Sequence, residues 1–142
     1  MKSRAALLGI FAVILSAAGA VGVVQQFRNF SVDVPEGWTA NQEGLTVILI
    51  KTDNTASMSI TVDSPEGMNR KALAEAFVKE LNGKNLERDP DGDYTFEMVN
   101  ANGVTSQALL TGDDDVYCLF VMTGIENARD DMSAILGSLK TK

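Results

Sequence analysis

The residues of this sequence best equipped for chemistry are carboxylates. Asp89-Pro90-Asp91-Gly92-Asp93 sets acidic oxygens at alternate positions, Asp113-Asp114-Asp115 forms a second run, and Asp130-Asp131 a third. Alternating oxygens invite comparison with a calcium loop. The comparison fails on its own spacing: counted from Asp89, Tyr94 stands where the sharp turn requires glycine, and Asn100 stands where a bidentate glutamate closes the site. Pro90 to Gly92 instead reads as a turn, with the acids in solvent. Asp113 to Asp115 fits a hairpin tip, and Asp130-Asp131 fits the first turn of a helix, where negative charge offsets the dipole.

Other chemistries are removed by composition. The chain has no histidine, which excludes Ser-His-Asp and Cys-His nucleophilic catalysis, imidazole-based zinc sites and ordinary haem ligation. Its single cysteine, Cys118, can make neither a thiolate cluster nor an internal disulfide. Cys118 lies in the apolar run Val116 to Met122, so it reads as a buried small hydrophobe. Glycine loops of the G-x-x-x-x-G-K-[ST] or G-x-G-x-x-G type are absent. Carboxylate chemistry, a Ser-Lys pair or binding without catalysis remain, and no catalytic, cofactor or metal residue is assigned. Trp38, the only tryptophan, reads as a core plug at the end of a strand rather than a ligand platform. Of the methionines that would suggest thioether copper handling, Met58, Met98, Met122 and Met132 fall in apolar stripes and read as packing, while Met68 does not.

The elements that must position these residues begin after a secretory signal. Lys2 and Arg4 precede an apolar stretch from Leu7 to Leu15 and the small residues Ser16 to Ala20, so cleavage is expected between Ala20 and Val21. The competing reading is an uncleaved anchor, since no charge occurs from Ala5 to Val24. Residues 1–20 are thus expected to be the signal and 21–142 a single domain with one core. Loss of Lys2 and Arg4 leaves 10 basic against 19 acidic residues, a net charge of −9. Such a field repels nucleic acid and anionic lipid, so neither is an expected partner; a membrane is one only if the signal stays uncleaved. The expected location is the periplasm or the medium.

Periodicity then lays out two rounds of strands followed by a helix. Phe30 to Val34, Val47 to Ile50 and Met58 to Val62 read as strands, with Pro35 ending the first and Asp53-Asn54 a turn before the third. Asn69 is the expected N-cap of a helix with Leu73, Ala76, Phe77 and Leu81 on one face and Gly83 as its stop. Asp93 to Val99, Val104 to Thr111 and Val116 to Thr123 form a meander whose first hairpin is marked by Asn102-Gly103. A last helix carries Ala128, Met132, Ile135, Leu136 and Leu139, with Asn127 and Asp130 at capping-box spacing. The expected class is α+β: a mainly antiparallel sheet of about six strands packed by two helices, in the order βββ-α-βββ-α.

The strand Phe30-Ser31-Val32-Asp33-Val34 running into Pro35-Glu36-Gly37-Trp38, followed by this order of elements, resembles the PsbP and DcrB-like superfamily. The resemblance spans nearly all of residues 21–142 and implies an α/β/α sandwich. Members so resembled include an extrinsic photosystem II protein, bacterial envelope lipoproteins and a Ran-binding nuclear transport factor, mostly binding or assembly proteins. The chain departs from the lipoprotein members in having no cysteine at the end of its signal. The resemblance implies no cofactor and no site residue. It favours a non-enzymatic envelope protein that binds another protein or envelope component through the rim or an uncovered part of its sheet; a carboxylate-dependent hydrolase and an antagonist of a secreted toxin are the alternatives.

Overall fold

The computed structural model describes residues 22–142, so the expected signal and its cut between Ala20 and Val21 lie outside the described residues. Ten strands and two α-helices follow in the order β1 (Val23–Gln26), β2 (Phe30–Val34), β3 (Trp38–Glu43), β4 (Thr46–Lys51), β5 (Ser57–Asp63), α1 (Arg70–Glu80), β6 (Lys84–Arg88), β7 (Tyr94–Val99), β8 (Thr105–Gly112), β9 (Tyr117–Thr123), α2 (Arg129–Ser138) and β10 (Lys140–Thr141). The class is α+β, as the periodicity predicts, and the pairings β1–β2, β2–β10, β3–β4, β6–β7, β7–β8 and β8–β9 are antiparallel. The strands beyond the expected six are β1, β3, β6 and β10. They carry too few apolar residues to show a period of two, because each lies at an edge or is half solvated.

Two compact units are present, one formed by the described residues up to Ser57 together with Gly124–Lys142, the other by Met58–Thr123. In the first, β2 is flanked by β1 and β10. Phe30, Ser31, Val32 and Val34 are all buried, so this strand is covered on both faces and not on the alternate positions alone. Helix α2 lies against β2 through buried Ala128, Met132 and Ile135. Its last residue fixes the register: Ser138 Oγ accepts the Asp33 N–H at 2.9 Å and donates to the Ile135 carbonyl at 2.9 Å. The Pro35-Glu36-Gly37-Trp38 motif is a β-turn into β3. Trp38 N–H donates to the Pro35 carbonyl at 3.2 Å, and Gly37 at φ 87° supplies the left-handed third position of a type II turn. Strands β3 and β4 then pair without interruption from Trp38↔Lys51 to Glu43↔Thr46.

In the second unit β6, β7, β8 and β9 form the expected meander with β6 added at its edge. Tyr94, Phe96, Ala108, Leu110 and Leu119 make one buried face, on which α1 places Leu73 and Ala74, with Phe77 and Val78 beside them. The helix is therefore rotated from the expected stripe: Ala76 is exposed, Leu81 is 37% exposed, and Ala74 and Val78 take their places. Asn69 caps as expected, accepting the Ala72 N–H at 2.7 Å. The other end differs in detail. Asn82, at φ 55°, takes the left-handed step, and Gly83 N–H closes on the Val78 carbonyl at 2.7 Å in a Schellman pattern. Gly83 is needed for another reason, since a Cβ there would stand 2.6 Å from the ring of buried Phe96. At α2 the expected box does not form: Ala128 occupies the cap position and Asn127 lies in a 3₁₀ turn, its Nδ2 donating to the Thr55 carbonyl at 3.1 Å.

Replacing Gly83 with alanine should lower the unfolding free energy by about 1–3 kcal/mol, the usual cost of overpacking a core. Urea denaturation checks this, and a Gly83→Ala protein as stable as the parent would show that the Phe96 ring has room to yield.

Candidate functional site

The acidic runs are brought to defined places. Asp89 Oδ1 accepts the N–H groups of Asp91 and Asp93 at 2.9 and 3.0 Å, while Asp89 N–H reaches the Asp93 carbonyl and Gly92 N–H the Asp89 carbonyl. With Gly92 at φ 88°, this is a type I turn closed by a left-handed glycine. The β7–β8 hairpin repeats it: Asn100 Oδ1 accepts from Asn102 and Val104, and Gly103 sits at φ 79°. Asn102-Gly103 thus marks the hairpin as predicted, with only the glycine at positive φ. Asp113 Oδ1 accepts from Asp115 and Val116, and Asp53 Oδ1 from the amide and hydroxyl of Thr55. Those Thr55 hydrogen bonds hold the Asp53 carboxyl below the usual carboxylate range. Each leading acid is a turn builder whose oxygen serves its own backbone. Among the described residues no three acidic, cysteine or histidine side chains come together as a cation site would require.

Arg70 joins two of these turns. Its Nη1 donates to the Gly92 carbonyl at 3.2 Å and lies 3.6 Å from Asp93 Oδ1, and its Nη2 donates to the Gly112 carbonyl. One planar guanidinium therefore ties the β6–β7 turn to the end of β8, presenting Asp91, Asp114 and Asp115 exposed on anchored backbone. The sequence carried an overlooked signal: Arg70 opens α1, where the helix dipole disfavours a cation, so it must earn its place through other contacts.

In the first unit Trp38 is buried, as the plug reading expects, at 7% exposure. Its indole Nε1 donates to Asp131 Oδ2 at 2.8 Å, a partner that sequence reasoning missed. Asp131 does lie in the first turn of α2, so it serves the dipole and the indole together. Lys51 holds the neighbouring loops, donating to the Asn127 carbonyl at 3.1 Å and lying 3.7 Å from Asp53. Cys118 is buried, and burial, with a smaller effect from Asp113, pushes its thiol up to about 11. Tyr117, packed on Phe77 with ring centres 5.5 Å apart, is also raised, by burial first and then by Asp63, Glu80 and Glu66. Met58 and Met132 are core residues, Met98 and Met122 are half-buried, and Met68 is 42% exposed. Among the described residues no helix is long and apolar enough to cross a membrane.

No family model matches the sequence, and no curated protein is similar to it. Solved structures are. The solution structure of cyanobacterial PsbP (CyanoP) from Synechocystis sp. PCC 6803 superposes with a TM-score of 0.56 at 17% identity, over 90% of this chain and 99% of that one. A crystal structure from Bacteroides thetaiotaomicron VPI-5482 gives 0.51 at 14% identity, over 80% of this chain and 45% of the other. The fold is PsbP-like, as the strand and turn at Phe30 to Trp38 implied.

Two outcomes follow from this geometry. Arg70→Ala should cost about 2–3 kcal/mol in urea denaturation, because two carbonyls lose a charged donor; Arg70→Lys should recover less than half, since an ammonium lacks the fork that spans both. The raised thiol makes stability fall with alkalinity. The unfolded chain releases the Cys118 proton from its ordinary value of 9.0 upward, whereas the folded chain holds it to about 11, so the contribution is full below 9.0 and lost through 11. Denaturation between those limits should show a decline of at most about 2–3 kcal/mol from this group, removed in Cys118→Ala; equal slopes in both proteins would contradict it.

Proposed function

We propose that this chain is a non-enzymatic binding or assembly protein of the bacterial cell envelope, exported by a signal removed between Ala20 and Val21 and acting in the periplasm or outside the cell. The observation that carries this reading is the use of its acids. Asp53, Asp89 and Asp113 accept turn amides, Asp93 faces Arg70, and Asp131 holds an indole. These are structural duties, and they leave a fixed acidic exterior for recognition. The PsbP-like fold and the resemblance at Pro35 to Trp38 support binding over turnover. A partner with neutral or basic contact chemistry suits the net charge of −9 that removal of Lys2 and Arg4 leaves, 10 basic against 19 acidic residues. A carboxylate-dependent hydrolase needs two acids facing one another across a substrate. No observation favours that arrangement, or the antagonist of a secreted toxin.

Photo-crosslinking residues placed at exposed positions of the full chain in living cells, followed by mass spectrometry, should trap a defined envelope protein or component. Turnover of a substrate by the purified protein in a hydrolase screen, lost on changing one aspartate to asparagine, would overturn the reading.

A further inference from the structure

Two Asn-Gly pairs occur in the sequence, Asn82-Gly83 and Asn102-Gly103, and the fold holds them differently. An asparagine followed by glycine can cyclise. The glycine nitrogen gives its proton to solvent base and bonds to the asparagine Cγ, the C–N bond of the carboxamide breaks, and ammonia leaves. Water then opens the cyclic imide at one carbonyl or the other, giving aspartate or its β-linked isomer. Glycine favours the step because it puts no Cβ beside the attacking nitrogen. The reaction also needs the glycine N–H released from its hydrogen bond, and room for the backbone to turn about the asparagine.

At Asn82-Gly83 both needs are opposed. Gly83 N–H is held by the Val78 carbonyl at 2.7 Å, in the cap that ends α1, and a Cβ on Gly83 would stand 2.6 Å from the ring of fully buried Phe96. Freeing this amide means lifting a helix end off a buried ring. Gly103 N–H is held by the Asn100 carbonyl at 3.0 Å, but on a hairpin tip where Asn100 to Thr105 are all exposed and a Cβ on Gly103 would meet nothing within 4 Å. Freeing that amide requires only the fraying of a turn.

We infer that Asn102 is a site of spontaneous deamidation in the folded protein, while the α1 cap and the Phe96 ring protect Asn82. The inference is independent of the binding reading. Its two products differ in effect. In the β6–β7 turn Asp91 stands where Asn102 stands in the hairpin, under the same pair of bonds from the next glycine and the leading side chain, so an aspartate fits such a turn. The β-linked product instead inserts a backbone carbon before Gly103 and displaces the Gly103 and Val104 amides from the Asn100 oxygens that accept them. Either product puts a carboxylate into Met98 to Gly112, a stretch without charge, beside exposed Val99 and Val104. The contact chemistry of the tip therefore changes as the molecule ages.

The test incubates the full chain in mildly alkaline buffer, native and in guanidinium chloride, and follows conversion by peptide mapping. Trypsin, cutting after Lys79, Lys84, Arg88 and Arg129, separates Asn82 from Asn102, and fragmentation tells Asn102 from Asn100 and Asn127. In the denatured chain the two pairs should convert at rates within a factor of about three, since the fold no longer distinguishes them. In the native chain Asn102 should convert about tenfold or more faster than Asn82. Equal native rates, faster loss at Asn82, or an intact Asn102 after the denatured chain has converted would each overturn the inference. In aged protein the β-linked fraction should lose hydrogen-exchange protection at the Val104 amide, whereas Asn102→Asp should keep it. Lost protection in Asn102→Asp would overturn the distinction between the products; the conversion rates of the parent chain decide the site whether or not that variant folds.

Discussion

A chain built from antiparallel strands must supply an acceptor to every amide that its turns take out of the ladder. Here that constraint is met from within each turn. Asp53, Asp89, Asn100 and Asp113 lie in four separate connections and are alike in construction, each accepting the amide two residues on and a further donor besides. Short carboxylate and carboxamide side chains suit the task because their oxygen reaches the i+2 amide without strain. With no disulfide to close the loops, register depends on these turns. A turn that slipped by one residue would send the apolar face of β7 or β8 to the wrong side.

Arg70 extends the same logic from single turns to a pair of them. A backbone carbonyl left over at a turn is a weak acceptor in water but a costly orphan when partly covered, and one guanidinium satisfies two. Trp38 and Asp131 do the corresponding work in the first unit, where the indole must be buried for its area yet must find an acceptor for its N–H. That acceptor is a carboxylate whose position is independently favoured by the start of α2. In both places a charged group lies where one local rule disfavours it or makes it unremarkable, and a second contact accounts for it.

This is also why the sequence was legible in some places and opaque in others. Strands with a covered face announced themselves: β2, β4, β5, β7, β8 and β9 all carry apolar residues at period two or in a run, and the Asn69 cap and Ala128-Met132-Ile135 stripe were plain. Edge strands such as β3 and β6 carry no such record, because their stability comes from backbone pairing on one side. Turn location was readable but turn type was not: Pro35-Glu36-Gly37 bends with only the glycine at positive φ, while Pro65-Glu66-Gly67 bends with both Glu66 and Gly67 there. The same three residue types give two geometries because the flanking elements set the exit direction. The long-range pairs, Trp38 with Asp131 and Arg70 with Gly112, left only indirect marks, a capped acid and a misplaced cation.

Charge and edge exposure meet in one further way. A protein with a surplus of acids repels its own copies, and that repulsion protects open strand edges collectively, without a lysine or bulge on each. Strand β3 can therefore remain regular and unblunted in a chain of net charge −7. Strand β6 carries both signs, Lys84 and Arg88 beside Glu87, and so gains less from the general field; it is bulged instead. The acidic composition that argues against nucleic acid in the sequence also opposes, in the fold, the edge-to-edge pairing of two copies.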